Sequence, residues 1–128
     1  MKKKYLIVIA DYYKDIAKGL LDSALKLIPK SNIIRIVRVP GVFEIPVTIS
    51  KNIKKYDAFL ALGCVIKGQT PHFDFISHAS TNAIMNLSVL NKKPIGNGII
   101  TCLNMTQAKQ RRKKGAEAAD AVNSVLSQ

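Results

Sequence analysis

The chain has 128 residues, 48% of them apolar, and a formal net charge of +12. That length supports one domain, residues 1–128, with a proper core but not two, and no low-complexity tract marks it as disordered. Its longest apolar runs are strand-length, well short of a membrane span. Met1-Lys2-Lys3-Lys4 before Tyr5–Ala10 imitates a signal peptide only faintly, because Asp11 ends the run and no small-residue cleavage site follows. Cys64 and Cys102 sit in apolar strand contexts and read as reduced thiols of a cytoplasmic protein. The positive charge fits nucleic acid, an anionic membrane or anionic small molecules. Its one dense run, Lys109–Lys114 (KQRRKK), lacks the interleaved aromatics of a single-strand stacking surface, so no nucleic-acid or membrane partner is expected.

In chain order, Tyr5–Ala10 (YLIVIA) reads as a buried strand. Asp11–Ile28 carries a helical stripe at Ile16, Leu20, Ala24, Leu27 and Ile28, and Pro29 ends it. Ile33–Val39 is a β-branched strand, and Pro40-Gly41 turns out of it. Val42–Lys54 reads as a helix whose Pro46 is tolerable only near the first turn. Ala58–Ile66 is a continuous apolar run broken by Gly63, the pattern of a strand buried on both faces. Gly68 permits a sharp exit, Thr70 reads as the N-cap and Pro71 as the first residue of a helix running to about Leu90. Lys92-Lys93-Pro94 closes that helix, and Ile95–Thr101 is the fourth strand. Asn104–Gln107 resembles a capping box before a short helix, Gly115 breaks the chain, and Ala116–Leu126 is a final helix. The βαβαβαβα order predicts a four-stranded parallel flavodoxin-like sheet inside a three-layer α/β/α sandwich.

Parallel strands present their C-terminal ends on one rim, where open α/β sheets bind ligands. That rim would carry Asp11-Tyr12-Tyr13, Pro40–Glu44 and Lys67–His72. Each residue alone has an ordinary reading: Tyr12 packs, Glu44 complements a helix dipole, His72 caps a helix. Together they bring an aromatic, a carboxylate and an imidazole beside a helix N-terminus, which favours an anion and suggests a phosphorylated substrate. Other chemistries find no pattern. His72 and His78 do not share a helical face, and neither a phosphate-binding GxxxxGK, a GxGxxG nor a GxSxG occurs.

VPGVFEIPV (Val39–Val47) and LGCVIKGQTPHFDFI (Leu62–Ile76), followed by QAKQR and KKG, resemble the motifs of the lumazine synthase family, collinearly over nearly the whole chain. The resemblance implies condensation of 5-amino-6-(D-ribitylamino)uracil with 3,4-dihydroxy-2-butanone 4-phosphate, without metal or redox cofactor. The products would be 6,7-dimethyl-8-ribityllumazine, phosphate and water, the penultimate step of riboflavin biosynthesis. Residue by residue, Tyr12 matches the aromatic that stacks on the pyrimidine, and Val42, Phe43 and Glu44 match the segment holding the ribityl chain. Cys64, Val65 and Ile66 match the strand end whose backbone meets the pyrimidine. Gln69 and Thr70 match the phosphate cradle, His72 the proton-transfer histidine, Arg111 the phosphate-pairing arginine and Lys114 the lysine before the glycine of the last helix.

The chain departs from the family's pattern at Asn97, where an aromatic of the pyrimidine wall is usual, in a shorter stretch between Arg111 and Lys114, and in an N-terminus that starts almost at the first strand. The resemblance also implies a homopentamer at the least, with Asn97 and Arg111 facing the neighbouring subunit; it leaves open whether pentamers assemble into an icosahedral sixty-subunit shell and whether riboflavin synthase is a partner. The alternative is a flavodoxin-like protein that binds a flavin or lumazine without turning it over.

Overall fold

In the computed structural model, which describes residues 2–128, nine regular elements follow one another. Met1, the first residue of the expected basic start, lies outside the described residues. The elements are β1 (Lys4–Ala10), α1 (Lys14–Leu27), β2 (Ile33–Val39), α2 (Ile45–Asn52), β3 (Ala58–Ile66), α3 (His72–Asn91), β4 (Ile95–Cys102), α4 (Met105–Gln110) and α5 (Lys114–Leu126). The strands are all parallel and lie in the order β2-β1-β3-β4.

Side chains that alternate along a strand leave it on opposite faces. Tyr5, Ile7 and Ile9 of β1 and Ala58, Leu60 and Leu62 of β3 therefore pack on one side with Leu20 and Ala24 of α1 and Val122 of α5. Leu6, Val8, Phe59 and Ala61 pack on the other with Ile45 and Ile49 of α2 and Ile84 of α3. These two cores make the three-layer sandwich expected from the sequence, and each fully buried Leu, Ile or Phe contributes roughly 1.5–3 kcal/mol. The central strands are buried over most of their length, as their apolar runs demand. β2 lies at an edge, with Ile33 and Ile36 exposed. Its Arg35 and Arg38 discourage pairing with a second sheet.

Helix ends and local motifs differ from expectation at several points. The segment predicted as one helix from Val42 divides into a single 3-10 turn, Val42–Glu44, and α2, which begins at Ile45 so that Pro46 falls in its first turn. Pro71, not Thr70, is the N-cap of α3: its carbonyl accepts from the Asp74 and Phe75 N–H groups, while Thr70 Oγ1 only approaches the His72 N–H at 3.4 Å. The capping box is half formed. Asn104 Oδ1 accepts from the Gln107 N–H at 2.9 Å, but Gln107 reaches past Asn104 and accepts from the Leu103 N–H at 2.8 Å.

Gly115 does not break the chain. It lies inside α5, and the break falls earlier, at Arg111–Lys113. Its glycine identity serves helix packing, because a Cβ there would sit 2.0 Å from the Leu20 carbonyl oxygen of α1. Leu27, assigned to the apolar stripe of α1, is exposed, and Leu21 takes its place in the core.

Candidate active site

The chain moves from β1 outward to β2 and then crosses to β3, so the strand order reverses between β1 and β3. Such a switch point opens a crevice at the strand C-termini. A cleft of about 620 Å³ lies there, lined by Tyr12 and Tyr13 after β1, Gly41–Glu44 after β2, Cys64–Ile66 at the end of β3, and His72 and Ile76 of α3.

Local sequence explains the cleft's shape. Gly63 lets the 3-10 turn lie on the sheet, since a Cβ there would meet Val42 Cγ2 at 2.9 Å and Ala10 Cβ at 3.2 Å. Val42 is thereby buried while the next residue, Phe43, projects outward at 67% exposure. Glu44 Oε1 accepts from the Gly41 N–H at 2.9 Å, which fixes the carboxylate at the cleft wall. Among the described residues nothing bonds its second oxygen, which can accept from a hydroxyl-bearing ligand. Tyr12 is 75% exposed, an open aromatic surface at the mouth. His72 is exposed at the first position of α3, where free N–H groups and the helix dipole favour an anion.

Eight of the thirteen residues singled out in the sequence thus line one cleft: Tyr12, Val42, Phe43, Glu44, Cys64, Val65, Ile66 and His72. Gln69 and Thr70 are exposed on the loop leading into α3, beside the cleft but outside its lining. Asn97, Arg111 and Lys114 are not brought to it. Asn97 is exposed on β4, where its Oδ1 accepts from the Ile99 N–H at 3.0 Å. Arg111 and Lys114 line a separate hollow of about 440 Å³ with Ile99, Thr101 and Lys113. There Arg111 Nη1 donates to the Thr101 carbonyl at 3.2 Å, and Lys114 pairs with Glu117 at 3.3 Å. Of the other lining residues, Tyr13 and Gly41 were placed on the rim by the sequence without a role of their own, and Ile76 was missed. For Tyr13 the one available signal was its place beside Tyr12 at a strand end; Ile76 had none beyond a helical apolar position.

Cys64 forms part of the floor, and Cys102 lies beside it on β4; both are free thiols. Burial, reinforced by Cys102, pushes the Cys64 thiol up to about 12 from an ordinary 9.0. A thiol that stays protonated is a poor nucleophile. Iodoacetamide at pH 8 is expected to leave the folded protein unmodified and to label both cysteines in urea; rapid labelling of the native form would contradict this. The raised value also makes stability fall with alkali. Its contribution is complete below about pH 9 and is lost as pH climbs from there toward 12, because the unfolded thiol ionises first.

The arrangement defines a class: an α/β protein of flavodoxin-like topology with a largely apolar, aromatic-edged cleft at the strand C-termini and a histidine at the anion-favouring end of a helix. The family model for 6,7-dimethyl-8-ribityllumazine synthase matches residues 2–128. The chain is 39% identical over 132 aligned residues to the 6,7-dimethyl-8-ribityllumazine synthase of Cutibacterium acnes, covering 96% of this chain and 80% of the relative. It is 43% identical to that of Buchnera aphidicola, covering 92% and 82%, and 43% identical to that of Renibacterium salmoninarum, covering 83% and 68%. The chain belongs to the 6,7-dimethyl-8-ribityllumazine synthase family, transferases of riboflavin biosynthesis. None of its described helices is long and apolar enough to cross a membrane.

Proposed function

We propose that the chain, as a single cytoplasmic domain, carries out the family's condensation in this cleft, using residues of two neighbouring copies. The observation that carries this reading is a division between two hollows. No lysine or arginine lines the cleft holding Tyr12, Glu44 and His72, yet one substrate carries a phosphate. The cations at the β4 end, Arg111, Lys113 and Lys114, line the other hollow. A copy whose β4 hollow abuts the next copy's cleft supplies what that cleft lacks.

In this reading Tyr12 stacks on the pyrimidine of the ribitylaminouracil, Val42 and Phe43 wall the ribityl chain, and Glu44 accepts from its hydroxyls. Backbone groups of Cys64, Val65 and Ile66 meet the pyrimidine edge. Gln69 and Thr70, at the N-terminus of α3, cradle the butanone phosphate, and Arg111 of the adjoining copy pairs with it in a guanidinium fork, with Lys114 adding charge. Asn97 of that copy closes the cleft where the family usually has an aromatic. The amine attacks the ketone, water leaves to give a Schiff base, phosphate is eliminated, and ring closure with loss of water forms the lumazine. His72 takes and returns the protons these steps need. Holding the two reactants together supplies much of the remaining acceleration.

A repeated head-to-tail contact closes into a ring when the rotation permits, and a homopentamer is the minimum assembly of this reading. The sixty-subunit shell and a riboflavin synthase partner are its extension. Exposed apolar residues on α3, namely Phe75, Met85, Val89 and Leu90, support such a contact because the chain itself leaves them uncovered.

The test follows lumazine absorbance from the two substrates, with the uncatalysed rate subtracted. The unmutated protein exceeds that background. His72→Ala and Arg111→Ala each fall far below the unmutated protein, and co-assembly of the two variants restores roughly a quarter of the activity, since random mixing leaves that share of contacts intact. No recovery on mixing rejects the shared site. A folded assembly with no excess rate that still binds the lumazine instead favours the non-catalytic binder.

A further inference from the structure

The cleft contains an aromatic residue to which the reading above gives no role. Tyr13 follows Tyr12 directly, but the two side chains diverge in environment. Tyr12 stands almost free in solvent, whereas Tyr13 is half-buried and packs against the core beneath α1, as do Cys64 and Ile66 of the cleft floor. The two rings meet edge to face, their centroids 4.9 Å apart and their planes at 84°. Tyr13 is also anchored through its backbone. It is the N-cap of α1, in extended conformation, and its carbonyl accepts the first helical bond from the Ala17 N–H at 2.9 Å. Tyr13 lines both the cleft and a smaller hollow that it shares with Lys14, Met105 and Lys109.

We infer that Tyr13 is a positioning residue of the cleft: its core-anchored ring sets the plane of the exposed Tyr12 ring on which a heteroaromatic substrate stacks. An exposed tyrosine at a strand end otherwise samples several staggered rotamers. A perpendicular neighbour removes that freedom before the ligand arrives and leaves a face of Tyr12 open, so the ordering cost is not charged to binding. The ring is what this role requires. The hydroxyl is held as a neutral phenol, because burial first, and then Cys64 and Tyr12, raise its pKa above the ordinary 10.0.

This inference rests on Tyr12 being the stacking surface of the proposed function, and a double-mutant cycle separates the two ideas. Tyr13→Ala, Tyr13→Phe, Tyr12→Ala and the double alanine variant are compared with the unmutated protein. The readouts are KM for the ribitylaminouracil, kcat, and Kd for ribityllumazine measured by its own fluorescence. Tyr13→Ala is expected to raise KM and Kd roughly three- to tenfold with little change in kcat, the range an aromatic pair supplies. Tyr13→Phe stays close to the unmutated values, and removing Tyr13 from the Tyr12→Ala background changes nothing further.

Equal losses in both backgrounds would mean that Tyr13 acts through the fold and not through Tyr12, and would overturn the inference. A Tyr13→Phe variant as impaired as Tyr13→Ala overturns it too, since the hydroxyl would then matter. That variant, which keeps the core contact, remains informative if Tyr13→Ala fails to fold. An unmutated protein that binds ribityllumazine without turning over substrates refutes the proposed catalysis but leaves the Kd cycle to decide on Tyr13. Absence of both binding and turnover overturns both ideas.

Discussion

Replacing His72 by alanine lowers turnover roughly 10²–10⁴-fold, the contribution of a positioned proton carrier, while ribityllumazine binds nearly as before. The separation follows from where the residue sits. His72 begins α3, whereas the groups assigned above to the ring and the ribityl chain belong to other elements. Removing the imidazole leaves Tyr12, Glu44 and the β3 backbone in place. Schiff-base formation and phosphate loss nonetheless require protons to be taken up and released near neutral pH, and imidazole is suited to both. The check is kcat against ribityllumazine Kd in the same preparation. Unchanged turnover would remove His72 from the proton-transfer role, and a parallel loss of binding would recast it as a packing residue of the rim.

Gly115→Ala produces the largest structural effect expected of any single methyl group here. In an exposed helix the change would stabilise by about 1 kcal/mol. In α5 the added Cβ would lie 2.0 Å from the Leu20 carbonyl oxygen and 2.6 Å from Ser23 Oγ, so α1 and α5 must separate. Backbone cannot yield as a flexible side chain does. The Ser23 hydroxyl, moreover, accepts from the Ala116 N–H at 3.1 Å and loses that geometry as the helices part. Overpacking of this kind costs about 1–3 kcal/mol or more. The corresponding fall in melting temperature, roughly 5–10 °C, is readable by calorimetry. A variant as stable as the parent would show that the two helices are not in such close contact. Lys114 directly precedes Gly115, so under the proposed function activity at permissive temperature also falls.

The strands were the most legible part of the sequence. Tyr5–Ala10 and Ala58–Ile66 are apolar runs, the second interrupted only by Gly63, because both faces of a central parallel strand are covered. The structure buries all of their residues except Cys64 and Ile66, which are partly exposed. Helix ends were less legible. Thr70 has the side chain of an N-cap, but Pro71, restricted in φ, turns the chain first and takes the position. Gly115 reads as a breaker by composition, whereas its reason for being glycine is a carbonyl nearly a hundred residues earlier in the chain, which no local pattern contains.

The candidate site divides in the same way. Residues placed by one strand end and one turn could be assigned from motif and topology, because parallel strands deliver their C-termini to a common rim. Sequence by itself therefore determined the sheet, its layers, the family motifs and most residues of the main cleft. Only the tertiary structure decided that Arg111 and Lys114 occupy a different hollow, that Tyr12 is exposed while Tyr13 is half-buried, and that Gly63 admits Val42 to the cleft floor. Periodicity records which face of an element is covered; which neighbour covers it, and at what distance, is a long-range packing outcome.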